Sequence, residues 1–229
     1  MAFDVNSMRT FLTAIPFSYM ALFPVLNPLG GAFIILAMTI NTPEPLYLQL
    51  CKKIAINTFV LLFIVLSAGT YILEFFGINI PIVQVGGGLV VAYIGWCLLN
   101  QTPDTTSGSN TSTTGDSSKN IMNLAFYPLT MPITAGPGCM AVTLTISAHE
   151  TASHSLHSTL LGEAGVVIGL ILSALTVYFC YRYAENIKQR LGENGTHVIV
   201  RLSAFINFCI GLQITWHGIV ALIASMNGN

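Results

Sequence analysis

Two stretches of the chain repeat one pattern. The first is Phe23-Pro24-Val25-Leu26-Asn27-Pro28-Leu29-Gly30-Gly31; the second is Tyr127-Pro128-Leu129-Thr130-Met131-Pro132-Ile133-Thr134-Ala135-Gly136-Pro137-Gly138. In each, an aromatic residue precedes a proline, a second proline follows four positions later, and small residues come next. Each lies inside a long apolar run that a helix should fill. Proline removes a backbone donor and clashes with the preceding turn, and glycine admits conformations a helix does not use. In hydrocarbon, backbone freed in this way is tolerated only where it is buried in protein or lines a wet cavity. Such breaks at corresponding places in two halves of a chain are a pointer to a transporter's binding site.

Composition sets the surroundings. Of 229 residues 53% are hydrophobic and only 7% charged, against roughly 25% charged in a soluble domain. The chain reads as an integral membrane protein with the lipid bilayer as its first partner. A net charge of −1 offers no basic stripe for phosphates, so nucleic acid is excluded as a partner. The N-terminus has no cationic run ahead of its apolar stretch and no small-residue cleavage site close behind it, and reads as retained.

Apolar runs long enough to span fall at 9–40, 54–74, 80–99, 121–148, 160–181 and 198–224. The first and fourth carry the paired prolines and read as single crossings made of two half-helices. The expected fold is therefore an all-α membrane protein of six transmembrane helices, with the first and fourth broken. Residues 1–100 form a first three-helix repeat, 101–120 a flexible polar linker, and 121–229 a second repeat. An odd number of spans per half inverts the second repeat relative to the first. A weaker echo pairs Val83-Gln84-Val85-Gly86-Gly87-Gly88 with Val200-Arg201-Leu202-Ser203-Ala204. Lys52 and Lys53, Lys119, and Arg182, Lys188 and Arg190 all fall on connections of one side, with Arg9 opposite. The positive-inside rule then puts both termini outside and the linker in the cytoplasm. A re-entrant reading of the broken segments would scatter these charges.

The breaks contain no Asp, Glu, Lys or Arg. Half-helix N-termini can offer N–H groups to a carboxylate, and unwound carbonyls can accept from an ammonium, so a small zwitterion needs no charged side chain. Candidate substrate-binding residues are Asn27, Pro28, Gly30, Gly31, Thr130, Thr134, Ala135, Gly136, Pro137 and Gly138. Gly86, Gly87 and Gly88, with Gly95, are expected to serve close helix packing. Glu74 and Glu163 lie at span ends and read as interfacial anchors. Cys51, Cys97, Cys139, Cys180 and Cys209 are scattered and read as small packing residues. His149, His154 and His157 sit in one polar connection, with no ligand spacing for a metal, and no cofactor is implied. No intramembrane aspartate pair, zinc motif or serine with a base is present, which argues against an enzyme.

Three runs carry a family likeness: Leu22-Phe23-Pro24-Val25-Leu26-Asn27-Pro28-Leu29-Gly30; Phe76-Gly77-Ile78-Asn79-Ile80-Pro81 leading into Gly86-Gly87-Gly88-Leu89; and Pro128 to Gly138. Through them the chain resembles, almost end to end, the MarC family of bacterial inner-membrane proteins, whose relatives include SnatA-type neutral amino acid transporters. The resemblance implies six spans in the inner membrane and transport or export of small neutral amino acids such as glycine, alanine and threonine. The chain departs from the family pattern at Gly31-Ala32-Phe33, where members often have a second Asn and a Pro, and at Gln84, where an arginine is usual. A passive pore built from the same breaks and a non-transporting regulator that binds through 101–120 are the competing readings. Further copies of the chain, as a homo-oligomer, stay open as partners.

Overall fold

The computed structural model describes residues 5–39, 42–100, 122–151 and 156–227. Among them every regular element is a helix: α1 Val5–Leu26, α2 Pro28–Met38, α3 Glu44–Phe75, α4 Ile80–Asn100, α5 Ala125–Thr134, α6 Pro137–Thr151, α7 Leu156–Arg182 and α8 Ala184–Asn227. The linker expected at 101–120 lies outside the described residues, as does His154. The side chains of His149 and His157 lie outside them too.

Five stretches are long and apolar enough to cross a membrane: Met8–Met38, Glu44–Phe75, Ile80–Asn100, Leu160–Arg182 and Ala184–Met226. Met122–Thr134 with Pro137–Ala148, bent by 68°, makes a sixth when counted as one. Two helices outrun their apolar cores. α3 begins at Glu44, with prolines just before it and in its first turn, where a missing N–H costs no bond. The polar stretch expected as a connection after Arg182 is helical up to Gly192, whose φ of 70° interrupts α8. A left-handed residue cannot continue a helix, and glycine adopts that conformation freely.

Interhelical contacts give the directions of travel. Lys53 Nζ donates to the Met122 carbonyl (3.1 Å), and Ser147 Oγ donates to the Leu66 carbonyl (3.1 Å). Between Lys53 and Leu66, α3 rises about 20 Å. The bent pair α5 and α6 therefore runs alongside α3 and does not fold back. α1 runs parallel to α7, where Gly165 lies against Phe11 and Ala14, and Gly169 against Ile15 and Ser18. α3 and α7 are antiparallel, and Tyr47 Oη donates to the Tyr181 carbonyl (2.7 Å).

The closest seam joins α4 to α8, antiparallel. Gly95 lies against Ala204 and Phe208, Gly88 against Gly211 and Thr215, and Gly218 against Pro81 and Val85. At each, a Cβ would strike backbone of the partner helix, so only glycine lets the two axes come this near. Gly87 packs on Ala141 and Pro137 of α6. Gly86 has nothing near it and faces outward, so the packing role expected for these glycines holds for Gly87, Gly88 and Gly95 and not for Gly86.

Half of the apolar window in Met8–Met38 is buried, against 22% for α3 and for α8, which puts the first crossing at the centre of the bundle. Leu22, Leu26, Ile35, Leu50, Ile54, Leu129, Leu170 and Tyr181 are fully buried around it. Large apolar side chains such as Phe63, Trp96, Leu175 and Phe205 stay exposed, as the lipid-facing surface of a membrane bundle requires.

Candidate functional site at the two helix breaks

The first break is closed on itself. Asn27 separates α1 from α2 at φ 44° and ψ 58°, a left-handed conformation that asparagine tolerates better than other non-glycine residues. Its Oδ1 accepts from the Gly30 N–H (3.1 Å), and its carbonyl accepts from the Gly31 N–H (2.9 Å). Pro28 has no N–H to offer. The first turn of α2 is thus largely satisfied by its own capping residue. A Cβ on Gly30 would run into the Asn27 side chain, so this glycine makes room for the cap.

The second break is wound differently. Tyr127 (φ −125°, ψ 125°) and Met131 (φ −115°, ψ 119°) are extended, as residues before proline tend to be, because the proline ring clashes with a helical predecessor. Between and after them the chain coils widely, with bonds reaching five residues back. The Ala135 N–H reaches the Thr130 carbonyl (2.8 Å), Thr130 Oγ1 the Ala125 carbonyl (2.6 Å), and Thr134 Oγ1 the Leu129 carbonyl (2.7 Å). α6 then begins at Pro137, with the Cys139 and Met140 N–H groups sharing the Gly136 carbonyl. Among the described residues no side-chain oxygen caps this first turn; the Gly136 N–H faces the Cys139 sulfur, a weak acceptor, and the Gly138 N–H has no hydrogen-bond partner.

The two breaks meet at a cavity of about 290 Å³. Of the residues expected to bind substrate, Asn27, Gly31, Thr134, Gly136 and Gly138 line it, whereas Pro28, Gly30, Thr130, Ala135 and Pro137 do not. The remaining wall is Val25, Ile34, Pro132, Ile133 and Cys139, with Val91, Ile94 and Leu98 from α4 and Asn207 from α8. Among the described residues no charged side chain lines the space. Glu74, exposed at the end of α3, and Glu163 do not line it, and no group of His, Cys, Asp and Glu among the described residues could hold a metal.

The glycines are constrained by the protein before any ligand arrives. A Cβ at Gly136 would sit 2.9 Å from the Pro132 carbonyl oxygen, one at Gly138 would collide with Val91, and one at Gly31 would press on the Tyr181 hydroxyl at 2.6 Å. That hydroxyl ties the breaks together. It lies 2.8 Å from Thr134 Oγ1 and, because Thr134 gives its own proton to Leu129, Tyr181 is the donor.

Two residues of this site escape a reading of the sequence. Tyr181 sits beside Arg182 between Tyr178 and Tyr183, a grouping that reads as an interfacial belt. Tyr178 and Tyr183 do lie under the Arg182 guanidinium, yet Tyr181 turns inward and is fully buried. Asn207 had a signal: it is a lone amide in the apolar run Phe205-Ile206-Asn207-Phe208, and polar groups at such depth are costly. It is 6% exposed, and its Oδ1 has no hydrogen-bond partner.

A model of the MarC family of integral membrane proteins matches residues 12–223, a range that includes both breaks and every residue of the cavity wall. The chain belongs to the MarC family. The inner membrane protein MarC of Salmonella typhimurium (strain LT2) is 29% identical over 224 residues, covering 94% of this chain and 98% of that one. The inner membrane protein MarC of Escherichia coli O1:K1 is 28% identical over 219 residues, with the same coverage. No solved structure matches this MarC-family chain.

Proposed function

We propose that this MarC-family protein is a secondary transporter that binds a small neutral amino acid, such as glycine, alanine or threonine, between its two helix breaks and moves it by alternating access. The observation that carries the reading is the shared cavity. At about 290 Å³ it lies at the small end of ligand sites, which run from about 300 Å³ upward. Its polar groups are neutral or backbone.

The helix pairings support an inverted repeat. α1 packs on α7 and α5 on α3; α2 packs on α7 and α8, and α6 on α3 and α4; α3 meets α7, and α4 meets α8. Exchanging α1, α2, α3 and α4 with α5, α6, α7 and α8 leaves these main pairings unchanged, while the smaller contacts of α6 with α7 and of α1 with α8 depart from the symmetry. Lys53 and Arg182 fall at one end of the bundle, beside Met122 and Tyr181, which supports that end as cytoplasmic and the termini as periplasmic. Ile34, Ile94 and Leu98 carry the cavity toward the same end, while the other half is filled where Gly87 packs on Ala141 and Gln84 bonds Thr145. This asymmetry supports a conformation accessible from the cytoplasm.

The test is flux of labelled glycine, alanine, serine and threonine in proteoliposomes. The reading expects saturable uptake with counterflow. Conduction without saturation or counterflow would mean a pore, and no flux of any of the four from folded protein removes the proposal.

A further inference from the structure

The seam between α4 and α8 carries an internal control. Its contacts are one another's image when Pro81, Gly88 and Gly95 exchange with Ala204, Gly211 and Gly218. Gln84 and Asn207, each three residues beyond the first of these positions, then occupy equivalent places. This replaces the register expected from the sequence, which paired Val83 with Val200. The two amides differ: Gln84 Nε2 donates to Thr145 Oγ1 at 2.9 Å, whereas Asn207, though 6% exposed, leaves its Oδ1 without a partner and lines the cavity.

At Gln84 the fold supplies the amide nitrogen with a partner and leaves the side chain only half-buried, whereas the Asn207 oxygen is buried with none. A buried acceptor left unpaired carries the full cost of losing its water unless something else fills the role. Across the same cavity lies the start of α6, where the Gly138 N–H has no partner, the Gly136 N–H meets only the weakly accepting Cys139 sulfur, and the helix dipole favours an anion. We infer that Asn207 accepts a hydrogen bond from the ligand's ammonium while the first turn of α6 takes its carboxylate, which makes Asn207 a specificity-determining residue of the site. The inference rests on the transporter reading. It selects ligands that carry both groups over those that carry only one.

The experiment measures binding to purified full-length protein by thermal shift, with glycine, acetate and methylamine as probes, in the parent, Asn207→Leu, Asn207→Ala and Gln84→Leu. Binding to the native state raises apparent stability by mass action. The parent should prefer glycine to either one-group probe. Both Asn207 variants should weaken glycine by about tenfold or more, the scale of losing a hydrogen bond to a charged group, while the acetate response and the ligand-free melting temperature stay level. Gln84→Leu should keep the glycine response. Glycine binding unchanged in the Asn207 variants overturns this inference and leaves the transporter reading standing. A fall in ligand-free melting temperature in both variants, or failure of both to fold, makes Asn207 a structural residue and overturns it as well. If the parent responds to none of glycine, alanine, serine and threonine, the transporter reading falls and the inference with it.

Discussion

The two breaks share a sequence pattern and differ in what they leave open. At the first, Asn27 uses its left-handed backbone and its side chain to satisfy the start of α2, so that break is a sealed joint. At the second, the place corresponding to Asn27 is Met131, which has no side chain to cap with. The chain instead coils widely through Thr130 and Thr134, and α6 starts with Gly136 and Gly138 facing the cavity. The difference teaches that a proline-glycine break is not in itself a ligand site. On the proposed reading, what makes the second break a site is that its freed groups find at most a weak acceptor of the protein.

The largest effect that could overturn this comparison is expected at Gly138→Val. Its Cβ would collide with Val91 and crowd Val25, and overpacking so constrained a place should cost about 3 kcal/mol and most of the folded yield. Wild-type yield and melting temperature would show that the α4 wall is looser than described. Gly136→Ala comes next. The obstacle, 2.9 Å away, is the Pro132 carbonyl, a backbone group that cannot swing aside, so about 1–3 kcal/mol should be lost in thermal unfolding, together with glycine flux.

At the first break the obstacle is a movable side chain, and the cost should be smaller. Asn27→Ala should lose about 1–2 kcal/mol, through the cap and the left-handed backbone, and Asn27→Gly only a few tenths. Gly30→Ala displaces the same cap, so in a double-mutant cycle it should add little to Asn27→Ala. Full additivity would show that Gly30 has a role apart from Asn27. The effect expected for Tyr181→Phe is smaller than that of Asn27→Ala. Thr134 keeps its bond to Leu129, and only the tie between the breaks is lost, for about 1 kcal/mol. Urea unfolding in detergent would measure it, and a loss of several kcal/mol would make Tyr181 the principal brace of the site.

Much of the architecture is legible in residue order because it follows from local chemistry. An apolar run too long for a soluble helix, a proline without an N–H and a lysine that avoids hydrocarbon mean the same thing in any fold. Residue types alone therefore determined the membrane class, the candidate spans and the positions of both breaks. What the tertiary structure decided is which of the freed groups find partners. Asn27 Oδ1 accepts from Gly30, whereas Asn207 Oδ1 faces no donor of the protein. Tyr181 turns away from the interface that its neighbours mark. The register of α4 on α8 is set by where Gly88, Gly95, Gly211 and Gly218 let two backbones touch, and no echo in the sequence reports it. The physical reason is common to all of these: whether a polar group deep in a bundle is satisfied depends on what stands opposite it, and packing between distant segments determines that.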